Sequence, residues 1–276
     1  LRQAGSSLSK AERKIARVLH STNLRAGLQP VSLLARAAES SGPTVLRFIK
    51  KLGFKSFPAF QTALRSEVSQ RTKSPRAQLA SSQEPLGDRE FLRTARFQLI
   101  ASLEATFDAI PERDFERAAR LLGDRRRQIV VLGGRFTQLF AEYLVGRLYQ
   151  LRPNVRLAGG PSIVISRNED LPTLPRSAVL VVFDLRRYQV DSIEFARAAA
   201  ERGVTIILVT DTWLSPIADF AAIVFPIHIE TNWHYDSFAN CAVLVELLFG
   251  KIVSQGGTEV LERIRLLESF QSGLLD

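Results

Sequence analysis

Residues Glu39–Phe54 read ESSGPTVLRFIKKLGF. A Ser-Ser-Gly-Pro corner leads into a short amphipathic segment. Val45, Phe48, Ile49 and Leu52 recur at i, i+3, i+4 and i+7, which is one stripe of an α-helix. Thr44, Arg47, Lys50 and Lys51 fall elsewhere on the same helix. Ser41 stands where an N-cap is needed. Pro43 is tolerated in a first turn, because its missing N–H has no intrahelical partner there. The apolar stripe must pack on neighbouring elements, which leaves the cationic flank facing outward.

The neighbours are legible on both sides. LSKAERKIARVLHS opens with Ser9 and, three places on, Glu12, the pattern of a capping box. Its Ile15, Val18 and Leu19 keep helical spacing. VSLLARAA, Val31 to Ala38, is a second short helix with Pro30 before it. The helix after the corner is expected to end near Gly53. Phe57, Phe60, Leu64 and Val68 then mark a fourth helix. A short helix, a tight turn and a second helix with a basic outer face form the layout of a helix-turn-helix. Such a helix enters the major groove with its N-terminal residues on base edges and its flanking cations on phosphates. Thr44 and Arg47, with Ser41 beside them, are therefore candidate base readers. Lys50, Lys51 and Lys55 are candidate phosphate contacts.

The charge map separates this reading from an ordinary solvated face, which would explain any single lysine. Lys and Arg number 37 against 28 Asp and Glu, a net +9. Residues 1–80 hold 15 of the cations and 3 of the anions, a balance of +12; the rest hold 22 and 25, a balance of −3. The whole excess sits in the first third, as expected of a module that meets a polyanion joined to a near-neutral module with another task.

Residues 69–88 are rich in Ser, Pro and charge and lack a long apolar period, which marks a linker. Residues 89–122 read as helical with a break near Pro111. From Gln128 the grammar changes. QIVVLGG, VRLAGG, SAVLVVFD, VTIILVTD and AAIVFPI are short apolar runs, some separated by helical segments such as DSIEFARAAAERG. This pattern implies a parallel sheet covered on both faces. Ser237–Ser254 and Glu259–Phe270 are helical at the C-terminal end. Cys241 is expected to be core packing, and Asp236 to cap the helix it precedes.

Composition excludes several classes. Hydrophobic residues make up 46%, enough for a substantial core. One cysteine excludes an internal disulfide, and with three histidines it argues against a structural zinc site. Neither a metal nor a cofactor is expected. No apolar run spans a membrane and no secretory signal is visible, so a cytoplasmic protein is expected. The sequence lacks methionine even at position 1, so it is read as trimmed, or as written without its modified methionines.

Residues 8–68 resemble the N-terminal domain of the RpiR-type bacterial transcriptional regulators. LSKAERKIARVL, VSLLARAA and SSGPTVLRFIKKLGFKSFPAFQ carry the likeness, with Thr44 to Phe48 and Lys51 to Phe54 at its centre. The resemblance implies that the second half is a sugar isomerase (SIS) domain, a flavodoxin-like or Rossmann-like α/β sandwich, and residues 128–255 look like one. The implied organisation is a helix-turn-helix at 1–70, a linker and connecting helix at 71–110, and a SIS effector domain at 111–276. The implied partners are a duplex DNA operator and a small anionic metabolite, with assembly as a homodimer or homotetramer through the connecting helix and the SIS helices.

Ligands of such sheets bind at the C-terminal ends of strands. Here these ends are GGRFTQ, AGG, FDLRRYQ and TDTW. Gly133 and Gly134 allow close approach of backbone to a ligand, and Arg135 and Thr137 share their loop at the start of a helix, which favours an anion. A tight strand-to-helix turn explains the glycines equally well, since no GxGxxG or Walker motif accompanies them. The SIS pattern usually places a Ser-x-Ser-Gly-x-Thr phosphate cradle after a central strand. This chain has Asp184, Leu185, Arg186, Arg187, Tyr188 and Gln189 instead. The hydroxyls are replaced by two guanidinium groups, which still clamp an anion in bidentate fashion; Asp184 opposes an anion unless it pairs with one of them, so another small acid, or a loop that stabilises a subunit interface, stands beside a plain phosphosugar as the reading of this loop. His234 is expected at the mouth of the site. Two other functions are weighed. An aldose–ketose isomerase needs a base such as Glu230 or His234, but leaves the basic module idle. An architectural DNA-binding protein needs no effector.

Overall fold

The computed structural model describes residues 8–21, 24–72, 88–158, 167–231 and 235–272. The chain divides into two compact units, Leu1–Ser74 and Pro75–Asp276.

The first unit is helical. Its helices are α1 (Lys10–Ser21), α2 (Val31–Ala37), α3 (Gly42–Lys51) and α4 (Phe57–Thr72), with a 3-10 turn at Arg25–Leu28. The capping box forms at the start of α1: the Ser9 amide donates to Glu12 Oε2 at 2.7 Å and the Glu12 amide to Ser9 Oγ at 3.3 Å. One core gathers Ile15 and Leu19 of α1, Leu34 of α2, Val45, Phe48 and Ile49 of α3, and Phe60 and Leu64 of α4. Gln61 ties α4 to the 3-10 turn, donating to the carbonyls of Gly27, Leu28 and Gln29 at 3.3, 3.1 and 3.0 Å. Gly53, with φ +91°, turns the chain after α3, a conformation that glycine adopts without a side-chain penalty. Phe54 and Phe60 then meet edge to face at 5.3 Å.

The second unit opens with α5 (Asp88–Ala109) and α6 (Glu112–Gly123), interrupted at Pro111. Five strands follow: β1 (Ile129–Gly133), β2 (Val155–Leu157), β3 (Val179–Phe183), β4 (Thr205–Asp211) and β5 (Ile223–Ile227). Between and after them lie α7 (Gln138–Leu151), α8 (Val190–Glu201), α9 (Ala239–Gln255) and α10 (Gly257–Ser272). All strand pairings are parallel, in the order β2-β1-β3-β4-β5. Each apolar run splits by alternation between two cores. Ile129, Val131, Val179, Val181, Ile207 and Val209 face α6, α7 and α9. Val130, Leu132, Leu180, Val182, Ile206 and Leu208 face α8. Strands buried on both faces read as continuous apolar stretches, as these do. Cys241 lies wholly buried in the first of these cores, and burial raises its thiol pKa. Among the described residues, no single helix is long and apolar enough to cross a membrane.

α5 is fixed to this unit by a buried polar knot. Asn240, at the start of α9, donates to Ser102 Oγ at 2.9 Å, Thr106 Oγ1 at 3.0 Å and the His228 carbonyl at 2.9 Å. Thr106 Oγ1 also accepts from the His228 amide at 3.1 Å. α5 also exposes Phe91, Leu92, Phe97, Ile100 and Phe107.

Candidate functional site

Each unit carries one candidate surface. In the first, α3 buries Val45, Phe48 and Ile49 and turns Pro43, Leu46, Arg47 and Lys50 outward. Ser41 precedes its first turn. The Ser41 hydroxyl makes no bond to a backbone amide; it pairs with Thr44 Oγ1 at 2.9 Å. Thr44 Oγ1 also accepts from Arg47 Nη2 at 3.0 Å. These bonds draw the guanidinium back over the N-terminal turn of α3, the end that a major groove meets first. Lys50 and Lys55 are exposed. Lys51 is held differently: its ammonium lies 3.2 Å from Glu12 Oε2, joining α3 to the cap of α1. The Ser9 amide first, and Lys51 second, hold the Glu12 carboxyl below the usual carboxylate range. Leu46 is 42% exposed on the outward face. It sits outside both the apolar stripe and the charge count, the two signals that sequence offers for this helix.

In the second unit, a cavity of about 360 Å³ opens at the C-terminal ends of β1 and β3. In a sheet of this order the direction of winding reverses between those strands, and ligands of open α/β sheets bind at such a reversal. One wall is the loop from β1 to α7, with Gly134, Arg135, Phe136 and Thr137. A Cβ on Gly133 would come within 2.4 Å of Gln138 Cα and 2.5 Å of its amide nitrogen, so only glycine lets the loop turn this tightly into α7. Thr137 Oγ1 accepts from the Gly134 amide and donates to the Phe183 carbonyl, both at 2.7 Å. It fastens β1 to β3 and has no proton left to donate to a ligand.

The second wall is the loop from β3 to α8, with Asp184, Leu185, Arg186, Arg187 and Gln189. Asp184 is buried and, among the described residues, pairs with no arginine. Its partners are the Ser215 hydroxyl at 2.5 Å and the Gln189 amide at 3.3 Å. Burial pushes its pKa up to about 6, against these hydrogen bonds, with a smaller push from Asp211. Arg186 instead pairs with Asp236 at 3.1 Å and stacks on Trp213 with its guanidinium carbon 4.0 Å from the ring centre. Asp236 is thereby drawn away from capping: the N-cap of α9 is Phe238, and the Ala239 amide donates to Ser237 Oγ at 3.4 Å. Arg187 is exposed with φ +65°, the left-handed region. The third wall holds Tyr235, Asp236 and Phe238.

Asp211, at the end of β4, organises the arginine loop and was missed from sequence. It is fully buried and accepts from the Arg186 amide at 2.5 Å, the Tyr188 hydroxyl at 2.7 Å and the Trp213 amide at 2.9 Å. Burial pushes its pKa up against these donors. The run TIILVTD placed an aspartate at a strand end, but nothing in it revealed a partner 25 residues away. Of the candidate effector residues, Gly134, Arg135, Thr137, Asp184, Arg186 and Arg187 line the cavity. Gly133 and Tyr188 lie behind that lining, as supports of the two loops. His234 lies outside the described residues, as do Gly159 and Gly160 of the AGG strand end and residues 73–87 of the proposed linker. Of the two candidate bases, Glu230 is not part of the lining; it accepts from Thr212 Oγ1 at 2.9 Å.

Comparison with known proteins matches each unit to a known domain. Residues 1–71 match the helix-turn-helix domain of the rpiR family, and residues 122–250 match the SIS domain. An uncharacterized HTH-type transcriptional regulator of Haemophilus influenzae is 23% identical over 217 residues, covering 78% of this chain and 74% of that one. The HTH-type transcriptional regulator HexR of Pseudomonas aeruginosa is 31% identical over 120 residues, 44% of this chain and 41% of HexR. Among solved structures, the sugar isomerase domain of an RpiR transcription factor from Sphaerobacter thermophilus superposes with a TM-score of 0.56 at 25% identity, over 64% of this chain and 97% of that one. The Vibrio vulnificus NanR protein, solved in complex with ManNAc-6P, superposes with a TM-score of 0.55 over 99% of this chain and 97% of its own; at 16% identity the likeness is one of fold.

Proposed function

We propose that this chain, which belongs to the RpiR type of transcriptional regulator and joins a helix-turn-helix domain to a SIS domain, binds a DNA operator through α3 and alters that binding when a small anionic metabolite enters the SIS cavity. The observation that carries the DNA half is the division of α3: its apolar stripe is spent on the core while Arg47 and Lys50 point outward with Leu46. Direct readout comes from the residues near the start of the helix, and phosphate contacts from Lys50 and Lys55. Lys51 contributes less than these, because Glu12 already neutralises it. The effector half is supported by Arg135 and Arg187, which make no ion pair among the described residues. It is also supported by the position of the cavity at the winding reversal. NanR, of the same fold, holds a sugar phosphate.

Helix-turn-helix domains read paired half-sites as dimers. The exposed apolar side chains of α5 supply a surface for a second copy, in a homodimer or homotetramer. Ligand can shift operator affinity only by binding the two arrangements of the DNA-reading heads unequally. The test is selection of an operator from random duplexes with the full chain, followed by titration of that operator with and without metabolite extract. The proposal expects one sequence bound at least ~10³-fold above random DNA, with affinity changed by the extract. Equal affinity for all duplexes would favour an architectural protein. Turnover of phosphosugars without DNA would favour an isomerase.

A further inference from the structure

We infer that the SIS cavity takes a small carboxylate with an aromatic or apolar body rather than a polyhydroxylated sugar phosphate, an inference that rests on reading this cavity as the effector site. The first ground is the supply of hydrogen-bonding groups. Among the described lining residues, side-chain hydroxyls belong only to Thr137 and Tyr235. The Thr137 hydroxyl is committed to the Gly134 amide and the Phe183 carbonyl. Both carboxylates are engaged as well: Asp184 by Ser215 and the Gln189 amide, Asp236 by Arg186. Among the neutral side chains of the described lining, the Gln189 carboxamide and the Tyr235 hydroxyl remain for a polar ligand. A sugar phosphate carries a row of hydroxyls, and each one that leaves water without a protein partner opposes binding.

The second ground is what the walls offer instead. Arg135 and Arg187 present guanidinium groups unmatched by any described carboxylate; a planar fork suits a carboxylate or a phosphate, so the choice between them falls to the rest of the wall. Arg186 is not equally available, since it is fixed between Asp236 and Trp213. Around these charges stand Leu185, Phe238, Phe136 and Tyr235. The last two are 64% and 54% exposed and border the opening, and the Arg135 guanidinium carbon lies 5.6 Å from the centre of the Phe136 ring, so a cation and an aromatic face stand side by side there. A ring or branched chain entering beside the arginines would cover them. The volume of about 360 Å³ lies at the small end of ligand cavities, which run from roughly 300 to 1,000 Å³.

The test is calorimetric titration of the full chain with two sets of compounds. One set holds aryl- and alkylcarboxylates, among them phenylacetate and phenylpyruvate. The other holds aldose and ketose phosphates, among them glucose 6-phosphate. The strongest binder is expected in the carboxylate set, at least about tenfold tighter than any phosphosugar. Phe136→Ala, at an exposed position where folding is not at stake, should weaken that binder about tenfold. Arg187→Ala should weaken it by at least as much. A phosphosugar that binds most tightly and is lost in Arg187→Ala overturns the inference while keeping the cavity as the effector site. A carboxylate whose affinity is unmoved by Phe136→Ala also overturns it. If neither set binds, the effector reading of the cavity falls as well.

Discussion

Asp184 makes the stability of the SIS unit depend on pH in a direction opposite to that of an ordinary ion-paired carboxylate. Its pKa rises from the usual aspartate value of 3.8 to about 6, chiefly through burial. The sign follows from proton binding. Between pH 3.8 and about 6 the native chain holds this proton more tightly than the unfolded chain does. The unfolded state therefore binds fewer protons there, and stability falls as pH rises through that window. Below it both states are protonated and the effect vanishes; above it the loss is complete. At 1.36 kcal/mol per pH unit the full loss is ~3 kcal/mol. Asp184→Asn keeps an acceptor for the Ser215 hydroxyl and carries no titrating proton. Relative to the wild type, the variant should gain stability between pH 4 and 7, approaching ~3 kcal/mol at the upper end. The assay is urea unfolding at a series of pH values, followed by tryptophan fluorescence. Both tryptophans, at 213 and 233, belong to the second unit, so the signal reports that unit. Asp124, held at about 2 mainly by Arg126, loses its stabilisation below that window, and the difference between the two proteins removes it. A difference that stays constant from pH 4 to 7, or changes with the opposite sign, would refute the reasoning.

Arg47→Ala should lower operator affinity by about 1–3 kcal/mol and flatten discrimination at one base position, as seen in competition binding against single-base variants. Equal loss on every duplex would make Arg47 a phosphate contact. Lys55→Ala should weaken binding to all duplexes alike and reduce the salt slope by about 0.9, whereas Lys51→Ala should change the slope less, because Glu12 neutralises Lys51 in the free protein. Gly133→Ala should destabilise the SIS unit strongly, since the added carbon meets backbone rather than a movable side chain; an unfolding midpoint within experimental error of the wild type would show that the β1–α7 turn can relax.

Much of this architecture was legible because it rests on local pattern. Ser9 and Glu12 form their capping box from residues three apart. The stripe of α3 is buried as its spacing requires. Each of the five apolar runs becomes a parallel strand; β1, β3 and β4 are buried on both faces, which demands continuous apolar sequence, while the edge strands β2 and β5 are only partly buried. What stayed hidden depends on groups brought together by the fold. Arg186 meets Asp236 across two loops, so a residue that reads as a helix cap becomes the partner of a buried cation. Asp184 has two arginines beside it in sequence, yet its partner is Ser215, 31 residues on. Asp211 shows the same limit, since it holds the arginine loop from another strand. At the DNA surface, Leu46 escaped notice because neither hydrophobic periodicity nor charge singles out an apolar side chain on a polar face.

In the proposed complex the outward face of α3 lies in the major groove of the operator. Disulfide crosslinking to operator duplexes that carry a thiol-tethered base in the major groove tests it directly. The variants are Leu46→Cys on α3 and Thr62→Cys on the exposed face of α4, each with Cys241→Ser, and Cys241 is buried in any case. Rapid capture of the position-46 thiol is expected at one or two adjacent base positions in each half-site, and none from position 62. Capture from position 62 at a rate equal to or above that from position 46 would contradict it.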